Sequence, residues 1–204
     1  MENLVYNKDE LEIFIVNNDS SKFIDGRILT KDIYYNKFRT TNIKDNYDFG
    51  MVMYYKGVII FNLSFTIHKN NLPFLKFFEL TSEKITINSS CFEVSGLVIK
   101  KNDFKYSNYL LFLGLLIIKT EIIDYYKLKT MITIQNQGLI KRLNKSGYGE
   151  FFKTIDDYKI KPNFIPNDKY WTKTTKPKIY ISDFSFENEF FDKIKTQLMK
   201  IGIL

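Results

Sequence analysis

Glu93 and Ser95 stand in the run CFEVSGLVI at 91–99, which is otherwise apolar. Alternate residues of a strand share a face. Cys91, Glu93, Ser95 and Leu97 are therefore expected on one face, with Phe92, Val94, Gly96 and Val98 on the other. A carboxylate and a hydroxyl two residues apart, about 7 Å along a strand, can point into one cleft. Ionised carboxylates are strongly disfavoured in apolar surroundings unless partnered. Either a Lys or Tyr of a neighbouring strand satisfies Glu93, or a site uses it. A desolvated carboxylate holds a proton more readily than an exposed one, which suits a general base.

Other chemistries lack the residues. His68 is the only histidine and Cys91 the only cysteine. One of each does not make a zinc set. A lone histidine at a hairpin end with no nucleophile motif does not make a hydrolytic triad either; His68 is expected to be exposed. Cys91 reads as a buried structural thiol. A single cysteine forms no disulfide within the chain, so a reducing, cytoplasmic setting is expected.

The chain has 204 residues, 45% hydrophobic and 17% aromatic, with 4 Pro and 9 Gly. That composition excludes disorder and suits one sizeable core. The net charge is +7. Residues 1–98 carry 11 basic and 12 acidic side chains, and residues 99–204 carry 19 and 11. A basic half suits an acidic protein, a phosphate-bearing substrate or peripheral contact with a membrane surface. Lysines are scattered along it, and no nucleic-acid motif accompanies them, so no nucleic acid is expected. The N-terminus shows no secretory pattern. The apolar run YLLFLGLLII (109–118) is about half of a membrane span, so no transmembrane segment is expected.

The elements that must position Glu93 follow from pattern. Residues 2–20 predict a strand or ragged lead-in, and 25–42 a short helix. YDFGMVMYYKGVIIFNLSFTIHK (47–69) predicts a hairpin turning at YKG. Residues 85–99 predict the Glu93 strand. Residues 106–127 predict a helix capped by Ser107, 128–136 a strand, 137–149 a helix ended by Gly147, 176–186 a strand and 187–203 a terminal helix. Residues 157–176 read as a long connection. The order predicts an α/β fold, a mixed sheet sandwiched by helices.

That order, with its motifs, resembles the GNAT superfamily of acyltransferases, in its acyl-homoserine-lactone synthase and N-acyl amino acid synthase branch. KDNYDFGMVMYYKGVIIFNLSF is similar to that branch's acidic D-x-x-D step and hairpin. NNLPFLKFFEL is similar to its Leu-Pro segment, and FEVSGLVI to its Glu-x-Ser strand. YLLFLGLLIIKTEIIDYYKLKTMITIQNQGLIKRLNKSGY is similar to its helix, strand and helix ending in Gly. The resemblance covers residues 25–150. It implies one acyl-CoA N-acyltransferase-fold domain over 1–204, with the strand and helix of 176–203 completing it.

The resemblance also implies function. An acyl group would pass from the phosphopantetheine thioester of acyl carrier protein, or from acyl-CoA, to a small amine, with no permanently bound cofactor and no metal. Glu93 and Ser95 would be catalytic, and Tyr148 would protonate the leaving thiolate. Asp45 and Asp48 would meet the acceptor. The pantetheine arm would lie in a gap between strands 91–99 and 128–136, against Leu97, Val98, Ile99 and Asn136.

The loop KKNDFKYSNY departs from the superfamily's phosphate-cradling loop in having no glycine. A backbone without residues tolerant of φ > 0 does not readily wrap a pyrophosphate. Lys100, Lys101 and Lys105 would instead meet a phosphopantetheine phosphate or the acidic surface of a carrier protein. The branch has an arginine where Gly96 stands, and another where Ser64 or a neighbour stands. Their absence argues against S-adenosylmethionine as acceptor. It leaves acylation of another amine or, as the alternative, a catalytically inactive binding protein on the same fold.

Overall fold

The computed structural model describes residues 2–41, 46–68, 72–81, 87–135, 138–141, 151–156, 158–161, 169–172, 177–184 and 189–204. Its centre is an eight-stranded mixed sheet of order β1-β2-β3-β4-β6-β7-β10-β8, and β5 and β9 pair separately.

The lead-in is a true hairpin: β1 (Glu2–Lys8) pairs antiparallel with β2 (Leu11–Asn17). Helix α1 (Ser21–Phe38) begins four residues earlier than its pattern predicts. Its cap explains the start, because the Ser20 side chain accepts the Phe23 N–H, satisfying one of the first-turn donors. Next comes the expected hairpin of β3 (Phe49–Tyr55) and β4 (Val58–Thr66). Lys56 and Gly57 both sit at positive φ in its turn, the geometry that matches strand twist in a two-residue loop.

A 3₁₀ turn (Pro73–Lys76) leads into β5 (Phe78–Leu80). Strand β6 (Cys91–Ile99) carries Glu93. Helix α2 (Leu110–Ile118) runs on through a π-helical turn (Lys119–Ile123) to Tyr126. Ser107 does not cap it. It opens a 3₁₀ turn (Ser107–Tyr109) that has no side-chain cap. Strand β7 (Thr130–Gln135) follows, and residues 138–141 are helical. The expected long connection holds β9 (Tyr158–Ile160) and a helical turn (Lys169–Thr172), and β8 (Lys153–Thr154) precedes it. Strand β10 (Lys178–Asp183) and helix α3 (Glu189–Lys200) complete the order.

Two faces are covered differently. Helices α2 and α3 bury one face through Leu110, Leu113, Ile194 and Leu198 against Leu11, Met51, Met53, Phe61 and Phe92. Helix α1 covers the other face at β2 and β3, where Phe23 meets Val16 and Val52. Residues 72–80 cover that same face farther along, packing Leu72, Phe74 and Phe78 with Cys91, Ile132 and Ile179.

Helix α1 comes unusually close to the sheet at Gly26. A Cβ there would lie 2.2 Å from Asn62 Oδ1 and 2.7 Å from Val52 Cγ1.

Candidate functional site

Strand β6 joins two different partners. On one side it pairs antiparallel with β4, and on the other it pairs parallel with β7. The parallel ladder covers only Cys91↔Thr130, Phe92↔Met131 and Glu93↔Ile132. Both strands continue, β6 to Ile99 and β7 to Gln135, without pairing with each other. The expected parallel neighbours, joined through α2, therefore part at their C-terminal ends, and Glu93 is the last residue before they part.

A bulge accompanies the parting. Asn62 pairs with Val98 and Ser64 with Ser95, so three steps along β6 match two along β4. Gly96 carries the extra residue at φ +65°, a conformation that a Cβ disfavours. A bulge bends its strand and breaks side-chain alternation. The expected face assignment fails here for that reason. Cys91, Glu93 and Ser95 face α1 and residues 72–80, and Val98, opposite Asn62, joins them. Leu97 moves to the α2 face beside Val94. Ile99 is partly exposed.

On the α2 face a small apolar pocket opens where the strands part, with a cavity volume of about 30 Å³. Val94 and Leu97 of β6, Leu111 and Leu115 of α2, and Met131 and Thr133 of β7 line it.

The α1 face is polar. Glu93 is 1% exposed, and the Phe74 N–H donates to its Oε2 at 2.7 Å. Pro73, with its fixed φ, opens the 3₁₀ turn that presents this N–H. Ser95 Oγ donates to Tyr47 Oη at 3.1 Å. The Arg27 guanidinium lies over the Tyr47 ring at 4.7 Å and donates to Ser64 Oγ at 3.1 Å. Asn62 Nδ2 donates to Thr30 Oγ1 at 2.9 Å and to Ser64 Oγ at 3.2 Å.

Arg27 is the residue that sequence reasoning missed. Its guanidinium lies beside Ser64 and Gly96, around the places where the resemblance implies arginines. It touches Ser64, and a Cβ on Gly96 would lie 2.8 Å from its Nη1. One cation from α1 thus occupies the space between two strand positions that carry none. Its signal was periodic: Phe23, Arg27, Thr30, Tyr34 and Phe38 recur at helical spacing, and Phe23, Arg27, Thr30 and Phe38 are buried.

Tyr34 belongs to this face, with its ring edge-on to Phe38 and tilted against Tyr170. Burial pushes its hydroxyl up to about 12, the Tyr47 hydroxyl adds to the rise, and the Arg27 charge opposes it. A folded-state value above the unfolded one, near 10, stabilises the fold fully below pH 10. That stabilisation is lost as pH rises through about 12. In denaturant melts the native chain should therefore lose stability relative to Tyr34→Phe between pH 9 and pH 12. A gap that stays constant over this range would contradict it.

The remaining expected residues are dispersed. The Asp48 carboxylate accepts the Ile67 N–H at 2.8 Å and pairs with His68 Nδ1 at 2.9 Å, so it fastens the exit of β4. His68 is exposed, as expected. Lys100, Lys101 and Lys105 are exposed in the loop after β6, with Lys105 over the Tyr106 ring at 4.8 Å. That loop is anchored by Phe104, which is buried. Asp45, Asn136 and Tyr148 lie outside the described residues. Among the described residues no helix is long and apolar enough to cross a membrane.

No protein-family model matches the sequence, and no curated protein matches it. Solved structures do match. A CoA-dependent acyl-homoserine lactone synthase, BjaI, bound to SAM and isopentyl-CoA, superposes with a TM-score of 0.59 at 10% identity, over 91% of this chain and 88% of that one. The AHL synthase LasI gives 0.52 at 12% identity, over 86% and 91%. An acyl-CoA N-acyltransferase from Pseudomonas aeruginosa gives 0.51 at 7%, over 84% and 99%. With its mixed sheet and flanking helices, the chain has the acyl-CoA N-acyltransferase fold, and its structure is similar in fold to those of acyl-homoserine lactone synthases.

Proposed function

We propose that the protein is an N-acyltransferase that moves an acyl group from a thioester, on acyl carrier protein or CoA, to a small amine. The observation that carries this reading is the parting of β6 from β7 at Glu93. It leaves an apolar pocket on one side of the sheet and a carboxylate with its polar network on the other. In this reading the acyl chain lies toward the apolar side and the amine on the polar side, with the thioester carbonyl between the strands.

The amine nitrogen attacks the carbonyl carbon, and a C–N bond forms. Glu93 takes the proton that the nitrogen sheds. Main-chain N–H groups of β6 beyond the ladder stabilise the oxyanion. The C–S bond breaks, and the thiolate takes a proton, from Tyr148 in this reading. Ser95 and Tyr47 hold the polar side in place. One structural neighbour is described as CoA-dependent. The glycine-free loop and exposed Lys100, Lys101 and Lys105 favour a carrier-protein donor here, a substrate that goes with a cytoplasmic setting. A second reading, an inactive binding protein, has one observation in its favour: Glu93 is sealed from solvent.

Mass spectrometry of lipid extracts separates the two readings. Cells expressing the native chain should accumulate an N-acyl compound. Leu97→Trp, which fills the pocket, should abolish it or shorten its acyl chain. With purified protein, charge reversal at the three lysines should raise KM for an acyl carrier protein severalfold and leave KM for acyl-CoA unchanged, because rim charges act mainly on encounter. Extracts with no new N-acyl compound would overturn the enzymatic reading.

A further inference from the structure

Thr66 ends β4 directly across from Glu93. Opposed residues of an antiparallel pair project to the same face, with Cβ atoms about 4.5–5.5 Å apart. Thr66 is 1% exposed, and its Oγ1 has no hydrogen-bond partner among the described residues. The neighbouring hydroxyls are all engaged: Ser64 Oγ accepts from Arg27 and Asn62, Thr30 Oγ1 donates to the Gly26 carbonyl, and Ser95 donates to Tyr47. Asn62 Oδ1 is also without a partner, but the Gly26 backbone closes against it. A buried hydroxyl left unbonded is destabilising. One placed beside a buried carboxylate, at the point where two strands part, is suited to a ligand.

We infer that Thr66 is a second contact for the attacking amine and makes the site selective for primary amines. This rests on the acyl-transfer reading above. A primary amine has two N–H groups and one lone pair. Glu93 accepts one N–H and removes that proton as the C–N bond forms. Thr66 Oγ1 accepts the other N–H and takes no proton. The two bonds leave the lone pair directed at the thioester carbonyl. A secondary amine has a single N–H, so one acceptor goes unused and a carbon substituent is pressed against Thr66.

The test compares the native chain with Thr66→Val, which keeps the shape and removes the hydroxyl. Octanoyl-CoA and octanoyl acyl carrier protein serve as donors. Acceptors are the free L-amino acids and their N-methyl counterparts, with amide products counted by mass spectrometry. The native chain should acylate its best primary amine at least tenfold faster than the N-methyl form. Thr66→Val should lose about tenfold on the primary amine, the effect of one neutral hydrogen bond, and nothing on the secondary one. Its melting temperature should hold or rise, since an unbonded buried hydroxyl is gone. Retained selectivity in Thr66→Val would overturn the inference while leaving acyl transfer standing. So would a fall in melting temperature with equal losses on both amines, which marks a structural hydroxyl. No amide from the native chain with either donor would overturn the acyl-transfer reading, and the Thr66 contact with it.

Discussion

Glu93→Gln should lower the rate of acyl transfer about 10²–10⁴-fold, the range for loss of a general base, and shift the melting temperature little. Glutamine keeps the shape and an oxygen that can still accept the Phe74 N–H. It removes only the capacity to take a proton. Glu93→Ala should behave differently in stability. It strands a buried N–H at the start of the 3₁₀ turn and opens space beside Phe74, which is fully buried. An unsatisfied buried donor costs about 1–3 kcal/mol. The paired variants thus separate chemistry from architecture. If Glu93 serves only to fasten residues 72–76, Gln should be nearly as active as Glu, and Ala should lose stability and activity together. Single-turnover assays on all three proteins, with thermal melts alongside, decide the matter.

Gly26→Val should destabilise the fold by about 2–3 kcal/mol, from overpacking and from a β-branched side chain in a helix. For a chain of this size each kcal/mol lowers the melting temperature by about 2–4 °C. Nothing soft lies in the way of a new side chain: the nearest atoms are Asn62 Oδ1 and Val52 Cγ1, both in fully buried residues. The helix must therefore lift from the sheet. Arg27 and Thr30 ride on the same turn, so Ser64 and Asn62 would lose their partners too. Activity should fall with stability. A variant that melts within a degree or so of the native chain would show that α1 is not seated as described.

The sheet and its Glu93 strand were legible because their signals are local. β-Branched and aromatic runs broken by YKG define β3 and β4, and an apolar run too long for a strand defines α2. The order of elements then brought β6 beside β7 through a helical crossover. The site was only half legible, for two reasons. Strand alternation predicts faces only while pairing is regular, and the positive-φ bulge at Gly96 sent Leu97 to the opposite side. No residue pattern announces a bulge without its partner strand. Arg27 was missed because its role depends on a gap left by two other positions, Gly96 and Ser64, far from it in sequence. The bond from Phe74 to Glu93 was hidden for the same kind of reason. A backbone N–H has no sequence signature, and the LP of the Leu-Pro segment only hints at where it points.

The parted strands have an energetic consequence for whatever enters between them. Parallel ladders are cooperative, and wedging a ligand into a closed one would mean breaking several main-chain bonds on each binding event. Here β6 and β7 do not zip beyond Glu93↔Ile132, next to the bulge at Gly96. The separation is therefore a property of the folded ground state. In the acyl-transfer reading a thioester arm would enter between strands that are already apart, so no ladder bond has to break before it binds. Such an arm would meet main-chain groups of β6 and β7 that, among the described residues, have no partner in the ladder between those two strands, as an added strand would.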